Sequence, residues 1–163
     1  MEIKDYIFRM KNFYSTFIHF VENYTPNDFQ DFISFIQDNH FGENPDEFRS
    51  MLHIIHKIFS HHKHNFDFTD KIYKILLHFS DKIKRTFSNN DIFRIFRNNK
   101  LILSFLFENN IIDVNENIIR LIFDKYGSND SNFFYPELKP FYDDGKIKPI
   151  NQLSIKWVFA LWP

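Results

Sequence analysis

Five histidines fall between residues 53 and 64, in the stretch His53-Ile-Ile-His56-Lys-Ile-Phe-Ser-His61-His62-Lys-His64. On a helix, His53 and His56 share one face and the others follow at its end, so the imidazoles could converge on a zinc ion. The zinc-protease motif, however, places its histidines four residues apart with a glutamate between them, whereas Ile54 and Ile55 stand here. We therefore expect these side chains to be half-buried or solvated rather than metal-bound. The alternative is a metal-binding protein whose ligands are His53, His56, His61 and His64.

The other residue types that are common in catalytic sites show no recognisable catalytic pattern in this sequence. Asp143 and Asp144 are adjacent, and Asp67 and Asp70 are close in sequence, but each pair stands in turn or helix-start sequence, where acids cap helices. The three glycines are isolated at 42, 127 and 145, so no phosphate-binding loop is present. The chain has no cysteine, which excludes a thiolate nucleophile and a disulfide framework. We predict a protein that is not an enzyme and uses no cofactor.

A basic run over residues 82–100 is interleaved with aromatic residues and could bind single-stranded nucleic acid by stacking and charge neutralisation. Its members are Lys82, Lys84, Arg85, Arg94, Arg97 and Lys100, with Phe87, Phe93 and Phe96. The phenylalanines recur at helix-core spacing, and Asp81 and Asp91 dilute the charge. Such a pattern is typical of a solvated helix face. We expect that arrangement here, and keep a nucleic-acid-binding helical domain as an alternative function.

Periodicity defines the elements that must position all of these residues. Apolar side chains recur every three to four residues, as in Ile72, Ile75, Leu76, Phe79 and Ile83, with Lys71 and Lys74 off that face. The sequence predicts helices near 2–23, 26–39, 46–62, 70–86, 89–98, 100–109, 116–126 and 136–143. No alternating strand pattern stands out. The prediction is an all-α single domain of about seven or eight short helices, packed as successive antiparallel helix pairs.

Helix start and stop signals support these boundaries. Asn44 followed by Pro45, with Glu47 at the third helical position, predicts a capping box. Start signals of the same kind stand at Thr25, Thr69, Ser88 and Asn115. Gly127 is predicted to stop the helix that begins near 116.

Composition limits the class of protein further. The 163 residues carry a net charge of −1 with both signs interspersed, and the N-terminal residues show no signal-peptide pattern. No apolar stretch approaches the ~20 residues that span a bilayer. We expect a cytoplasmic protein that binds neither membrane nor nucleic acid. With 23 phenylalanines and a single alanine, its helices must be stabilised by aromatic packing more than by intrinsic propensity.

Three segments resemble the helical N-terminal region of protist ankyrin-repeat proteins, a domain of unknown function. They are residues 49–55 (RSMLHII), 87–100 (FSNNDIFRIFRNNK) and 133–141 (FFYPELKPF). The resemblance covers about residues 1–144, and implies a helical domain that precedes an acidic linker and ankyrin repeats. Residues 145–163 depart from the pattern as a divergent apolar C-terminal tail, and no ankyrin signature occurs in the chain.

The resemblance carries no catalytic residues, and it suggests a truncated or frame-shifted member of that family. Together with the missing catalytic constellations, it predicts a non-catalytic helical protein-interaction or scaffold module. The partner is expected to be a protein, and the sequence does not identify it.

Overall fold

The structure is a computed structural model that describes residues 2–22, 28–62, 66–130, 134 and 139. These residues contain eight α-helices and no strand, which confirms the all-α prediction. The helices are α1 (Ile3–Glu22), α2 (Asp28–Asp38), α3 (Pro45–His62), α4 (Phe66–His78), α5 (Ser80–Thr86), α6 (Asn89–Phe96), α7 (Lys100–Glu108) and α8 (Glu116–Asp130). They gather into two compact units, residues 1–79 and 80–163. The predicted boundary after residue 144, the tail 145–163 and the predicted cap Thr25 lie outside the described residues, as does the predicted helix 136–143 apart from Lys139.

In the first unit, α1 packs against α2, α3 and α4, and α3 packs against α4. Phenylalanine rings hold α1 and α2 together. The ring of Phe32 on α2 stacks on Phe20 with centroids 4.9 Å apart, and lies 5.9 Å from Phe17 and 6.1 Å from Phe13. Such ring pairs add about 0.5–1.5 kcal/mol each beyond the area that they bury. Aromatic packing therefore stabilises helices whose intrinsic propensity is low because they contain almost no alanine.

In the second unit, α6 packs against α7 and α8. Phe134 follows α8 and is fully buried, with its ring edge-on to Phe107 at 5.7 Å and tilted against Tyr126 at 5.3 Å. The hydroxyl of Tyr126 also donates a hydrogen bond to the carbonyl oxygen of Arg97. These contacts join the end of α8 and Phe134 to α7 and to the end of α6.

Three predicted caps are confirmed. The side-chain oxygen of Asn44 accepts from the backbone N–H of Asp46 at 2.8 Å, and α3 begins at Pro45. Ser88 accepts from the N–H of Asp91 at 3.2 Å, and Asn115 accepts from the N–H of Ile118 at 3.0 Å. Each device lies within four residues of sequence, so local chemistry alone is enough to place it.

Three local predictions are wrong. The helix predicted over 70–86 is two helices, broken at Phe79, and the sequence does not indicate the break because neither glycine nor proline stands there. Because α4 begins at Phe66, Thr69 lies inside its first turn and does not cap it. Gly127 does not stop α8, which continues to Asp130. Glycine also adopts helical backbone angles, at a cost of about 1 kcal/mol.

Candidate functional site

The histidine cluster does not form a metal site among the described residues. His53, His56 and His61 lie on α3, with His53 and His61 exposed and His56 half-buried. The side chain of His62 and the whole of His64 lie outside the described part of the chain. Within that part, no three His, Cys, Asp or Glu side chains are grouped so as to hold a metal ion. The metal-binding hypothesis thus gains no support from the described residues.

Burial disfavours the protonated form of two of these histidines. Desolvation lowers the pKa of His56, and repulsion from His53 lowers it further. Desolvation also lowers the pKa of His53, with repulsion from Arg49 as the second cause. Both side chains are therefore neutral over a wider pH range than a solvated histidine.

The basic and aromatic run over 82–100 does not offer a stacking surface. Phe87, Phe93 and Phe96 are 7%, 2% and 0% exposed. Nucleic-acid bases need an open ring face on which to stack, so these rings cannot serve that purpose. The exposed Arg94 lies 3.9 Å from the carboxylate of Asp91, which dilutes the positive charge. These three rings therefore give no support to the stacking part of the nucleic-acid hypothesis.

An apolar stripe on α1 remains exposed beside the stripe that forms the core. Ile3, Ile7 and Tyr14 are 78%, 47% and 49% exposed, and the half-exposed Met10 lies between them. Their spacing of i, i+4, i+7 and i+11 places them on one side of the helix. The buried stripe beside them comprises Phe13, Phe17, Phe20 and Val21. Exposed apolar side chains that line up in this way mark interaction surfaces more often than isolated ones do.

Two adjoining cavities open between this stripe and α3. The larger, about 470 Å³, takes its apolar lining from Tyr6, Ile7, Met10 and Tyr14 of α1 and from Ile54 of α3. The smaller, about 240 Å³, includes Tyr14 and Ile54 again, together with Ile58. Tyr14 and Ile54 line both cavities, so the cavities adjoin, and we call the two together the α1–α3 groove.

A partly buried ion pair fixes α1 against the start of α3 and so sets the walls of the groove. Arg9 donates from Nε to one carboxylate oxygen of Glu47 and from Nη2 to the other, both at 2.8 Å. The Glu47 side chain is 3% exposed and also accepts from the N–H of Gly42 at 2.9 Å. The hydrogen bond that Arg9 donates to Glu47 raises the pKa of Arg9. Glu47 thus joins α1 to the loop before α3 through this ion pair and the N–H of Gly42.

Other contacts on both sides of the ion pair hold α1 in place. The guanidinium carbon of Arg9 lies 4.3 Å from the ring centre of Phe41, a cation–π contact. Tyr6 and Ser50 share a hydrogen bond between their hydroxyl groups.

At the other end of α1, a lysine of α4 contacts the last turn. The ammonium of Lys71 donates to the carbonyl oxygen of Val21 at 2.8 Å. Lys71 is 6% exposed, so the prediction that it lies off the buried face is wrong. The physical reason is that the last carbonyl groups of a helix attract a cation.

The ionisable side chains that line the groove are two lysines and one histidine, apart from the tyrosines. Lys11 lines the larger cavity, and Lys57 and His61 line the smaller one. Asp5 and Asp46, carboxylates of the same two helices, line neither cavity. Lys4 lies seven residues before Lys11, and hence on the same outer side of the α1 stripe. The groove therefore joins an apolar floor to positively charged edges.

Sequence reasoning missed this groove. A wide apolar face on a helix normally packs against the rest of the protein, so the apolar residues of α1 do not stand out as a surface. One signal was available: the apolar residues of α1 occupy more of the helix circumference than one neighbouring helix can cover. The pairing of Arg9 with Glu47, 38 residues away, has no counterpart in the local sequence pattern.

Comparisons of the chain with protein-family models, with curated proteins and with solved structures give no significant match. The resemblance to protist ankyrin-repeat proteins accordingly stays a prediction. Among the described helices, none is both long enough and apolar enough to cross a membrane.

Proposed function

We propose that this protein is a non-catalytic interaction module that binds a helical segment of a partner protein in the α1–α3 groove. The observation that carries the proposal is the exposed apolar stripe of α1, which continues into the cavities beside α3. The predicted relationship to the helical leader of ankyrin-repeat proteins is compatible with this role, since such proteins act through binding.

The length of the α1 stripe suits a helix. From Ile3 to Tyr14 the stripe advances 11 residues. At 1.5 Å per residue this is about 16 Å, or about three helical turns. A partner helix with apolar residues at i, i+3 or i+4, and i+7 would contact most of the stripe. The stripe lies beside a second helix, so a third helix can pack into the gap between the two as helices do in a bundle.

The groove is also held ready for binding. The Arg9–Glu47 pair and the Tyr6–Ser50 hydrogen bond fix the spacing between α1 and α3. A preformed site avoids part of the ordering cost that association otherwise carries. Binding therefore requires little rearrangement of the two walls.

The experiment compares three versions of the full chain as bait in a lysate of the source cells: wild type, Tyr14→Glu and Phe8→Glu. Phe8 is a matched control, because it is an exposed aromatic residue of the same helix, 70% exposed, that does not line the groove. We expect a protein that is retained by wild type and Phe8→Glu but not by Tyr14→Glu, and that binds the purified chain with the same selectivity. Capture that is equal for all three baits, or no capture by baits whose circular dichroism shows a folded helical protein, would rule out the proposal.

A further inference from the structure

The charge at the edges of the α1–α3 groove narrows the class of partner. We infer that the groove recognises an amphipathic helix flanked by acidic residues, with its apolar side on the α1 stripe and its carboxylates beside Lys11 and Lys57. This inference rests on the proposed function and specifies the chemistry of the partner at the same site.

Lysines lie at both edges of the groove. Lys4 and Lys11 follow the outer side of the α1 stripe, since they are seven residues apart on one helix. On α3, Lys57 and His61 are four residues apart and line the smaller cavity. All four side chains are exposed. A helix seated on the apolar floor would therefore have a lysine beside each of its flanks.

Asp5 and Glu47, acidic residues of the same two helices, do not place a free carboxylate in the groove. Asp5 falls on the opposite side of α1 from the stripe, because it follows Ile3 by two residues and so by about 200° around the helix. Glu47 is buried against Arg9 and is not available to a partner. Acidic side chains on the incoming helix would thus meet opposite charge, whereas basic ones would meet like charge.

A second copy of this chain fits less well. Its own α1 stripe would bring Lys4 and Lys11 beside the same lysines of the first copy. Like charges that face one another across helix flanks disfavour pairing, as they do at the flanking positions of coiled coils. An anionic membrane surface offers the right charge, but it is flat at this scale and would leave the cavities beside Ile54 unfilled. A separate acidic helix satisfies both the charge and the concave shape.

The test uses a displayed library of helical peptides with leucine fixed at i, i+3, i+4 and i+7, and with each flanking position varied among Glu, Lys, Gln and Ala. The full chain is the target. We expect the selected peptides to be enriched in Glu at the flanks, and to lose binding to Tyr14→Glu but not to Phe8→Glu. The double variant Lys11→Glu/Lys57→Glu should bind the selected acidic peptides roughly three- to tenfold more weakly, the size expected for two exposed charge pairs. Raising salt from about 50 mM to about 500 mM should weaken wild-type binding in the same direction.

Other results distinguish a failure of this inference from a failure of the proposed function. Selected peptides without acidic enrichment, or with unchanged affinity for the charge-reversed variant, overturn the inference and leave the proposed function intact. If no peptide of any flank composition is selected, the proposed function fails as well. Sedimentation that reveals a dimer lost in Tyr14→Glu assigns the groove to a second copy and overturns the inference. Binding to phosphatidylserine vesicles that is lost in Tyr14→Glu, with no binding of peptides, overturns it in favour of a lipid surface.

Discussion

Replacing Glu47 by glutamine tests the ion pair that sets the walls of the α1–α3 groove. The change removes the negative charge from a side chain that is 3% exposed and that receives two hydrogen bonds from Arg9 and one from Gly42. The amide nitrogen of the new side chain would face an N–H donor of Arg9. One hydrogen bond is thereby replaced by a repulsive contact, and the remaining ones lose the negative charge of their acceptor.

The expected loss of stability follows from these contacts. Hydrogen bonds to charged groups contribute about 1.5–3 kcal/mol each, and removing one member of a buried ion pair costs about 3–5 kcal/mol. Because the Arg9 side chain keeps a quarter of its exposure, water can solvate part of the stranded guanidinium. We therefore expect the lower end, about 3 kcal/mol, or a fall in Tm of about 6–12 °C for a chain of this length.

Urea unfolding followed by circular dichroism at pH 7 measures the free energy, and hydrogen–deuterium exchange locates the effect. Faster exchange should appear in peptides from α1 and α3. The control is Glu43→Gln, which makes the same change at a side chain that is 68% exposed and paired with His40 at 2.7 Å. Loss of such an exposed pair should cost about 0.5 kcal/mol or less. If the two variants unfold at the same urea concentration, the assignment of Glu47 as the residue that joins α1 to α3 is refuted.

Three further predictions concern single side chains. Lys71→Met removes the donor to the carbonyl of Val21, and should destabilise the protein by about 1–2 kcal/mol in urea unfolding. Lys74→Met, at a side chain that is 46% exposed, should change little, and equal effects would contradict this role of Lys71. Phe134→Ala, at a fully buried ring, should cost about 3–5 kcal/mol by calorimetry. The exposed control Phe8→Ala should cost about 0.5 kcal/mol or less, and a similarly small effect at Phe134 would show that this ring is not part of the core. Because burial lowers the pKa of His56 beneath its ordinary 6.5, the unfolded chain binds the proton first, so Tm should fall as pH drops below about 6.5, and His56→Gln should reduce that fall. An unchanged pH profile in that variant would disprove the role of His56.

Much of the local structure could be predicted from the sequence. Apolar residues recur at the helical period, and this recurrence is present whatever the helix packs against. The caps Asn44, Ser88 and Asn115 act within four residues, so they too can be recognised from the sequence. The break at Phe79 could not, because the apolar pattern continues unchanged from α4 into α5. A tertiary contact lies at the break, where the ring of Phe79 packs edge-on against Phe48 of α3 with the ring centres 5.8 Å apart.

The candidate site was not predictable in the same way. The histidines between 53 and 64 and the phenylalanines between 87 and 96 are conspicuous by type and spacing. Burial excludes the phenylalanines as a binding surface. The groove is instead made of ordinary apolar residues whose only distinction is that nothing described covers them.

The sequence by itself thus determined that the chain is helical and roughly where its helices begin, because backbone periodicity and capping depend on neighbours in the chain. Tertiary structure decided which side of α1 is buried, and it brought Arg9 to Glu47 and Lys71 to Val21 across 38 and 50 residues. The physical reason is that the apolar residues around α1 are chemically interchangeable as candidates for the core. Only the packing of α2, α3 and α4 selects Phe13, Phe17 and Phe20 for burial and leaves Ile3, Ile7 and Tyr14 exposed.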